Sequence, residues 1–142
     1  MKVNDILRRK GNSVYSITPG TSVYDALKLM AEKNLGGLLV MESEQLVGIF
    51  TERDYARKII LLGRASKDTL IRDVMTAEVR TITKDTEIGE CMQLMTNKTI
   101  RHLPVMEDGK VTGIISIGDV VKFIIEEQQG IIEHLQSYIA GT

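Results

Sequence analysis

Two four-residue stretches carry the side chains best placed to do chemistry. They are Thr51-Glu52-Arg53-Asp54 and Ser116-Ile117-Gly118-Asp119, each with a glycine three residues before the hydroxyl, Gly48 and Gly113. A hydroxyl and a carboxylate three apart at a helix start lie near one helix mouth, where free amides favour an anion. A carboxylate also accepts hydrogen bonds from two adjacent hydroxyls, such as those of a ribose. The glycines would let backbone or ligand approach the preceding strand closely. The same spacing is equally a capping box, in which hydroxyl and carboxylate satisfy the orphan amides of their own helix. Arg53, Arg101 and His102 add bidentate donors and positive potential suited to a phosphate, or are solvated surface charges.

The elements that must position these groups occur twice. Residues 15–54 align without a gap onto residues 80–119, at a constant offset of 65, and 13 of the 40 pairs are identical. Val14 to Ile17 alternates as a strand. A helix capped by Thr21-Ser22 runs to about Asn34, with Val23, Ala26, Leu27 and Met30 apolar. Leu38 to Met41 and Leu46 to Phe50 read as strands joined by a polar turn, and a helix starts near Thr51. The second unit repeats the order β-α-β-β-α with Val79 to Ile82, Thr86 to Lys98, Leu103 to Met106, Val111 to Ile115 and a helix from Ser116. Both units have an amphipathic lead-in, Val3 to Leu7 and Ile71 to Met75, and Gly63 to Thr69 is the polar linker between them. The expected division is 1–62, linker 63–69, 70–128 and a helical tail 129–142. Two similar units that cannot each close a core alone pack face to face, and the seam between them is where a ligand would sit.

The lead-in D-(I/V)-(L/M), the strand-to-helix stretch ending in L-M, Arg101-His102-Leu103-Pro104-Val105, and G-I-x-(T/S)-x-x-D before each final helix together resemble the CBS domain in its tandem form, the Bateman module. The resemblance covers Val3 to about Phe123. The stretch Thr51 to Ile60, followed by Gly63 to Lys67, is similar to small stand-alone CBS-pair proteins of bacteria and plant organelles. The resemblance implies an α/β (α+β) fold in which the two repeats pack about a pseudo-twofold axis, with a C-terminal helical extension here. It implies an adenine nucleotide, AMP, ATP or NAD(H), bound between the repeats and sensed, and no catalytic cofactor. It pairs the T/S-x-x-D of one repeat with the first and second strands of the other. The main cleft would therefore gather Thr51, Arg53, Asp54, Ile82, Thr83, Arg101, His102, Leu103 and Pro104. The second would gather Thr18, Gly37, Leu38, Ser116 and Asp119, with glycines where the first has Arg101 and His102 and little charge for a phosphate. CBS pairs also commonly dimerise into flat discs, which implies a homodimer. A ligand-free dimerising adaptor is the alternative, and the downstream protein target is not specified.

Composition narrows the function further. The 142 residues are one domain's worth, enough to bury about two thirds of the unfolded surface. With 18 basic and 19 acidic residues and a net charge of −1, no global field steers the chain to nucleic acid or an anionic membrane. Aromatics are only 4%, with no Trp, so a base-stacking platform is poorly supported. The chain opens without a secretory signal, and no apolar run approaches the roughly 18 residues that span a bilayer. A single cysteine, Cys91, fits a reducing cytoplasm and sits at the position of Ala26 as a core residue. His102 and His134 are too separated to form a metal centre with it, and no metal-binding carboxylate cluster or positioned base points to an enzyme. Arg57, Lys58, Arg64 and Lys67 surround the linker and either neutralise a second phosphate or face water. The tail alternates apolar residues from Val121 to Ile139 about Glu126 to Gly130, which predicts a long helix kinked or broken at Gly130.

Overall fold

The computed structural model describes residues 1–141. Its elements are α1 (Val3–Lys10), β1 (Ser16–Ile17), α2 (Val23–Lys33), β2 (Gly37–Glu42), β3 (Gln45–Thr51), α3 (Glu52–Tyr55), α4 (Ile88–Lys98), β4 (His102–Glu107), β5 (Lys110–Ser116) and α5 (Ile117–Gly141). A wider π-helical turn, Ala56–Ile60, extends α3, and short 3-10 turns cover Ser66–Asp68 and Ile71–Asp73. β2 runs parallel to β1 and antiparallel to β3, and β4 pairs antiparallel with β5. Both hairpins close on two residues of positive φ, Ser43-Glu44 and Asp108-Gly109, the twist that two-residue hairpins favour. Both also carry an irregularity in register at the same place, Val40/Met41 and Val105/Met106.

The repeats differ at their first strand. The expected strand Val79 to Ile82 is reduced to a single parallel bridge, Ile82 to Val105. Pro104 occupies the position that Leu39 holds in β2, where Leu39 pairs with Ser16. It has no N–H to donate, so the ladder stops one residue sooner.

Each lead-in completes the other repeat's core. Val3, Ile6 and Leu7 of α1 are buried among Ile82, Ile88, Cys91, Leu103 and Phe123 of the second repeat. Ile71 and Val74 are buried among Val23, Ala26, Leu38 and Phe50 of the first. The backbone repeats the exchange: Val3 N–H donates to the Thr86 carbonyl and Asn4 to Lys84, while Ile71 donates to Thr21 and Arg72 to Pro19, all at 2.8–3.0 Å. Thr86 and Thr21, like Lys84 and Pro19, are aligned positions, so the two halves are related by a twofold-like exchange of segments. Full burial of each aliphatic side chain contributes about 1.5–3 kcal/mol, so neither core is complete without the other half.

Gly48 and Gly113 serve that exchange. A Cβ on Gly48 would stand 2.7 Å from Met75 Sδ and 3.0 Å from the Thr76 carbonyl oxygen, and one on Gly113 would stand 2.9 Å from Leu7 Cδ2. The close approach foreseen at these glycines is made by the swapped lead-ins.

The tail departs from expectation. α5 runs as one helix from Ile117 to Gly141, through Gly130. Glycine costs a helix about 1 kcal/mol relative to alanine, too little to end one flanked by good helix formers, and no neighbouring group lies within 4 Å of where its Cβ would stand.

Candidate functional site

Both T/S-x-x-D tetrads close as reciprocal capping boxes. Thr51 N–H donates to Asp54 Oδ2 at 3.0 Å and Asp54 N–H to Thr51 Oγ1 at 3.3 Å; the corresponding Ser116 and Asp119 bonds are 2.8 and 3.1 Å. What distinguishes the two aspartates is their further partners. Asp54, 7% exposed, also takes the Thr51 hydroxyl on Oδ2 and, on Oδ1, the Thr76 hydroxyl at 3.0 Å and Lys58 Nζ at 3.1 Å. Three of these contacts are hydrogen bonds, which take three of the roughly four lone-pair sites of a carboxylate; Lys58 is an ion-pair partner whose own hydrogen bond goes to the Val74 carbonyl. Asp119 takes Lys10 Nζ on Oδ2 at 2.7 Å. Burial alone would push its carboxyl up, but the hydrogen bonds from Lys10 and Ser116 outweigh it and hold Asp119 below the usual carboxylate range.

Beside Asp54 lies a cavity of about 380 Å³ whose walls include Thr51, Glu52, Arg53 and Arg57 from the first repeat and Thr99, Arg101 and His102 from the second. An adjoining lobe of about 300 Å³ brings in Asp54, Lys58, Thr76 and Lys98. Arg57 is carried on the π-helical turn, whose wide spacing also seats Ile59 in the core; such turns recur at functional sites. Arg53 crosses between the repeats, its Nη1 donating to the Thr99 carbonyl at 2.5 Å. Thr99 ends α4 in the left-handed region at φ 53°, a strained conformation for a β-branched residue, where the aligned Asn34 is more at ease. Three guanidinium groups therefore converge from two repeats on one cavity, a net positive wall that matches the bidentate geometry of phosphate oxygens.

Of the nine positions expected in this cleft, the structure brings together Thr51, Arg53, Asp54, Arg101 and His102. Ile82 and Leu103 are core residues, and Pro104 is buried with its carbonyl accepting from Ile82 N–H. Thr83 closes a turn on Thr86 and is exposed. These four do not line the cavity.

The second cleft, about 300 Å³, is lined by Gly37, Ser116 and Asp119 as expected, together with Lys10, Tyr15, Leu35 and His102. Leu38 is buried in the first core, and the Thr18 hydroxyl is engaged with Thr21 in a turn, so neither lines it. Lys10 also reaches this cleft from the far end of the swapped α1, where it is paired with Asp119. Nothing in the local pattern around Asp119 signals it; only the exchange of lead-ins does. Thr76 and Thr99 were likewise not singled out by sequence, since a lone threonine carries no motif.

His102 lines both clefts. Burial is the largest influence on its imidazole and lowers its basicity, Asp119 and Glu52 oppose that, and Lys10 and Arg101 add to it; the net shift is downward. The shift favours the neutral ring, which has one donor and one acceptor to offer. Among the described residues no group of three or more His, Cys, Asp or Glu side chains could hold a metal ion, and no helix is long and apolar enough to cross a membrane.

Comparison with known proteins agrees with this architecture. The chain is 43% identical to the mitochondrial CBS domain-containing protein CBSX3 of Arabidopsis thaliana, over 98% of this chain and 72% of that protein. It is 49% identical to a solved structure of a putative signal-transduction protein with CBS domains from Burkholderia ambifaria, with a TM-score of 0.88 and coverage of 90% of this chain and 96% of that one. A hexameric CBS-CP12 protein from bloom-forming cyanobacteria is 26% identical, with a TM-score of 0.76 over 99% of this chain and 88% of that one. The CBS domain family profile matches residues 3–61 and again residues 71–126. Two matched copies over most of its length, with the exchanged segments that join them, place the chain in the CBS domain family as a tandem CBS pair.

Proposed function

We propose that this CBS pair is a regulatory module that binds an adenine nucleotide, AMP, ATP or NAD(H), with its phosphate in the cavity beside Asp54. The observation that carries the reading is the convergence of Arg53, Arg57 and Arg101 from both repeats on a cavity of about 380 Å³. A phosphate there would contact both halves at once, so its affinity depends on how the repeats sit, which is what a sensor requires. The second cleft, with Tyr15, Leu35 and a single lysine already paired to Asp119, is suited to an uncharged nucleoside end.

The role is binding and not turnover, because Asp54 and Asp119 are held by capping amides and lysines and neither is poised as a general base. We place the module in the cytoplasm as a homodimer acting on a separate protein target; the hexameric neighbour supports self-association. One observation favours the rival reading of a ligand-free adaptor: the carboxylate of Asp54 already accepts three hydrogen bonds and pairs with Lys58.

Calorimetric titration with AMP, ADP, ATP, NAD and NADH, with guanine nucleotides as controls, decides between them. A ligand that binds only the folded state adds about 2.7 kcal/mol at a hundredfold excess over Kd, so adenine nucleotides should raise Tm well above the guanine controls. No heat and no shift with any of the five would leave the adaptor.

A further inference from the structure

We infer that the second half of α5 is a parallel coiled-coil seam that joins two copies of this chain in register at Gln128. The inference deepens the homodimer proposed above by assigning it a surface. Val121, Ile125, Gln128, Ile132, Leu135 and Ile139 are spaced alternately four and three apart, the a/d pattern of a heptad. Isoleucine takes every a position (125, 132, 139) and leucine or valine the apolar d positions, the assortment that favours two parallel strands. Ile125, Ile132 and Leu135 are 59%, 47% and 53% exposed.

Three further observations say what covers this stripe. Glu126 and Glu127 lie on the opposite side of the helix and are turned toward α1, where Arg9 pairs with both and stacks over Phe123 at 4.6 Å. That contact fixes the rotation of α5 and directs the stripe away from α1. Second, Lys122, beside Val121, is the one charged residue at or flanking the seam; Glu126, Glu127, Glu133 and His134 all fall outside it. In a parallel pair in register each a and d residue meets its own counterpart, so a charge there would face itself, and none of the six positions carries one. Third, the stretch from Gln128 to Gly141 is about 21 Å of helix containing Gly130, and every residue in it is exposed. Most helical stability in proteins comes from packing an amphipathic face, and a second copy would supply that packing here. Gln128, the one polar a/d position, would meet its counterpart and select the register, the best-attested use of a lone polar residue in a coiled coil.

Sedimentation equilibrium of the full chain should give a dimer, and the double variant Ile132→Lys/Leu135→Lys a monomer that keeps its cooperative melt. A wild-type monomer would overturn the homodimer itself. A double variant that stays dimeric would overturn only the tail as its surface. Orientation is read by mild oxidation in a Cys91→Ala background: Leu135→Cys should form a disulfide-linked dimer and Ser137→Cys, on the opposite face, should not. A dimer in which Leu135→Cys fails to cross-link, or Ser137→Cys cross-links equally, would rule out the parallel seam.

Discussion

Gly37 and His102 hold the same position in their respective repeats, and the structure sets them face to face. A Cβ on Gly37 would stand 3.4 Å from His102 Cε1 and Nδ1 and 3.2 Å from Thr51 Cγ2. Gly36, aligned with Arg101, is likewise packed against the imidazole, at 3.4 Å. A Cβ at 3.4 Å would be in ordinary contact with the imidazole, but a second ring at position 37 would compete with the first for the same space. The repeats thus meet with a ring on one side and glycines on the other, and the cationic side chains lie on the side of the cleft beside Asp54.

That relationship predicts a non-additive pair. Gly37→His should destabilise the protein by about 1–3 kcal/mol, the usual cost of overpacking, and Gly37→His/His102→Gly should recover much of it by moving the ring to the other repeat. Urea melts of the two single variants and the double variant give the coupling. Losses that simply add would show that the two positions do not share space.

Phosphate recognition by the arginines makes a separate prediction. Arg101→Ala should weaken AMP far more than adenosine, because only AMP loses a charge-assisted contact, and wild-type AMP affinity should fall as salt rises. Thr51→Ala should cost about 1 kcal/mol of stability through the lost cap. Equal losses for AMP and adenosine in Arg101→Ala would remove the phosphate role.

The hydrogen bonds of Asp54 allow its two roles to be told apart. A ribose that binds through Oδ1 competes with the Thr76 hydroxyl for it, so Thr76→Ala should leave nucleotide affinity unchanged or improve it. Asp54→Asn should weaken it by about 10- to 100-fold, the worth of hydrogen bonds to a charged acceptor at roughly 1.5–3 kcal/mol. Asp119→Asn should matter less for a phosphorylated ligand. If Asp54→Asn lowers only the melting temperature, Asp54 is a structural cap.

The fold was legible because its signal is repeated: hairpins, helices and tetrads recur at a fixed offset, and each copy checks the other. The cavity beside Asp54 was legible where charge and motif coincide, since Thr51, Arg53, Asp54, Arg101 and His102 do meet there. It failed where a residue's neighbourhood is set by the exchange of segments. Lys10 precedes Asp119 by more than a hundred residues yet touches it. Ile82 and Leu103 were assigned to the cleft as aligned strand positions, but their side chains point to the core, because alternate residues of a strand face opposite sides. The unbroken α5 was missed because glycine's helix penalty is small beside the context that holds it.

Acid stability should titrate in two steps. His102 is less basic folded than unfolded, so below about pH 6.5 the unfolded chain binds the extra proton first. Stability then falls with pH until the folded imidazole is also protonated. Asp119 is held low by Lys10 and Ser116 against its burial; its stabilisation is present above the unfolded carboxyl value, near 4, and is lost as pH falls through the lower folded one. Both steps have the same sign in different windows. His102→Asn should flatten the upper step and leave the lower, whereas Lys10→Ala should diminish the lower one and, by removing a nearby positive charge, shift the upper step toward higher basicity of His102. Guanidinium melts of the three proteins between neutral pH and the acid limit separate the two. An upper slope that survives His102→Asn intact would mean that another group, and not the imidazole between the clefts, takes up that proton.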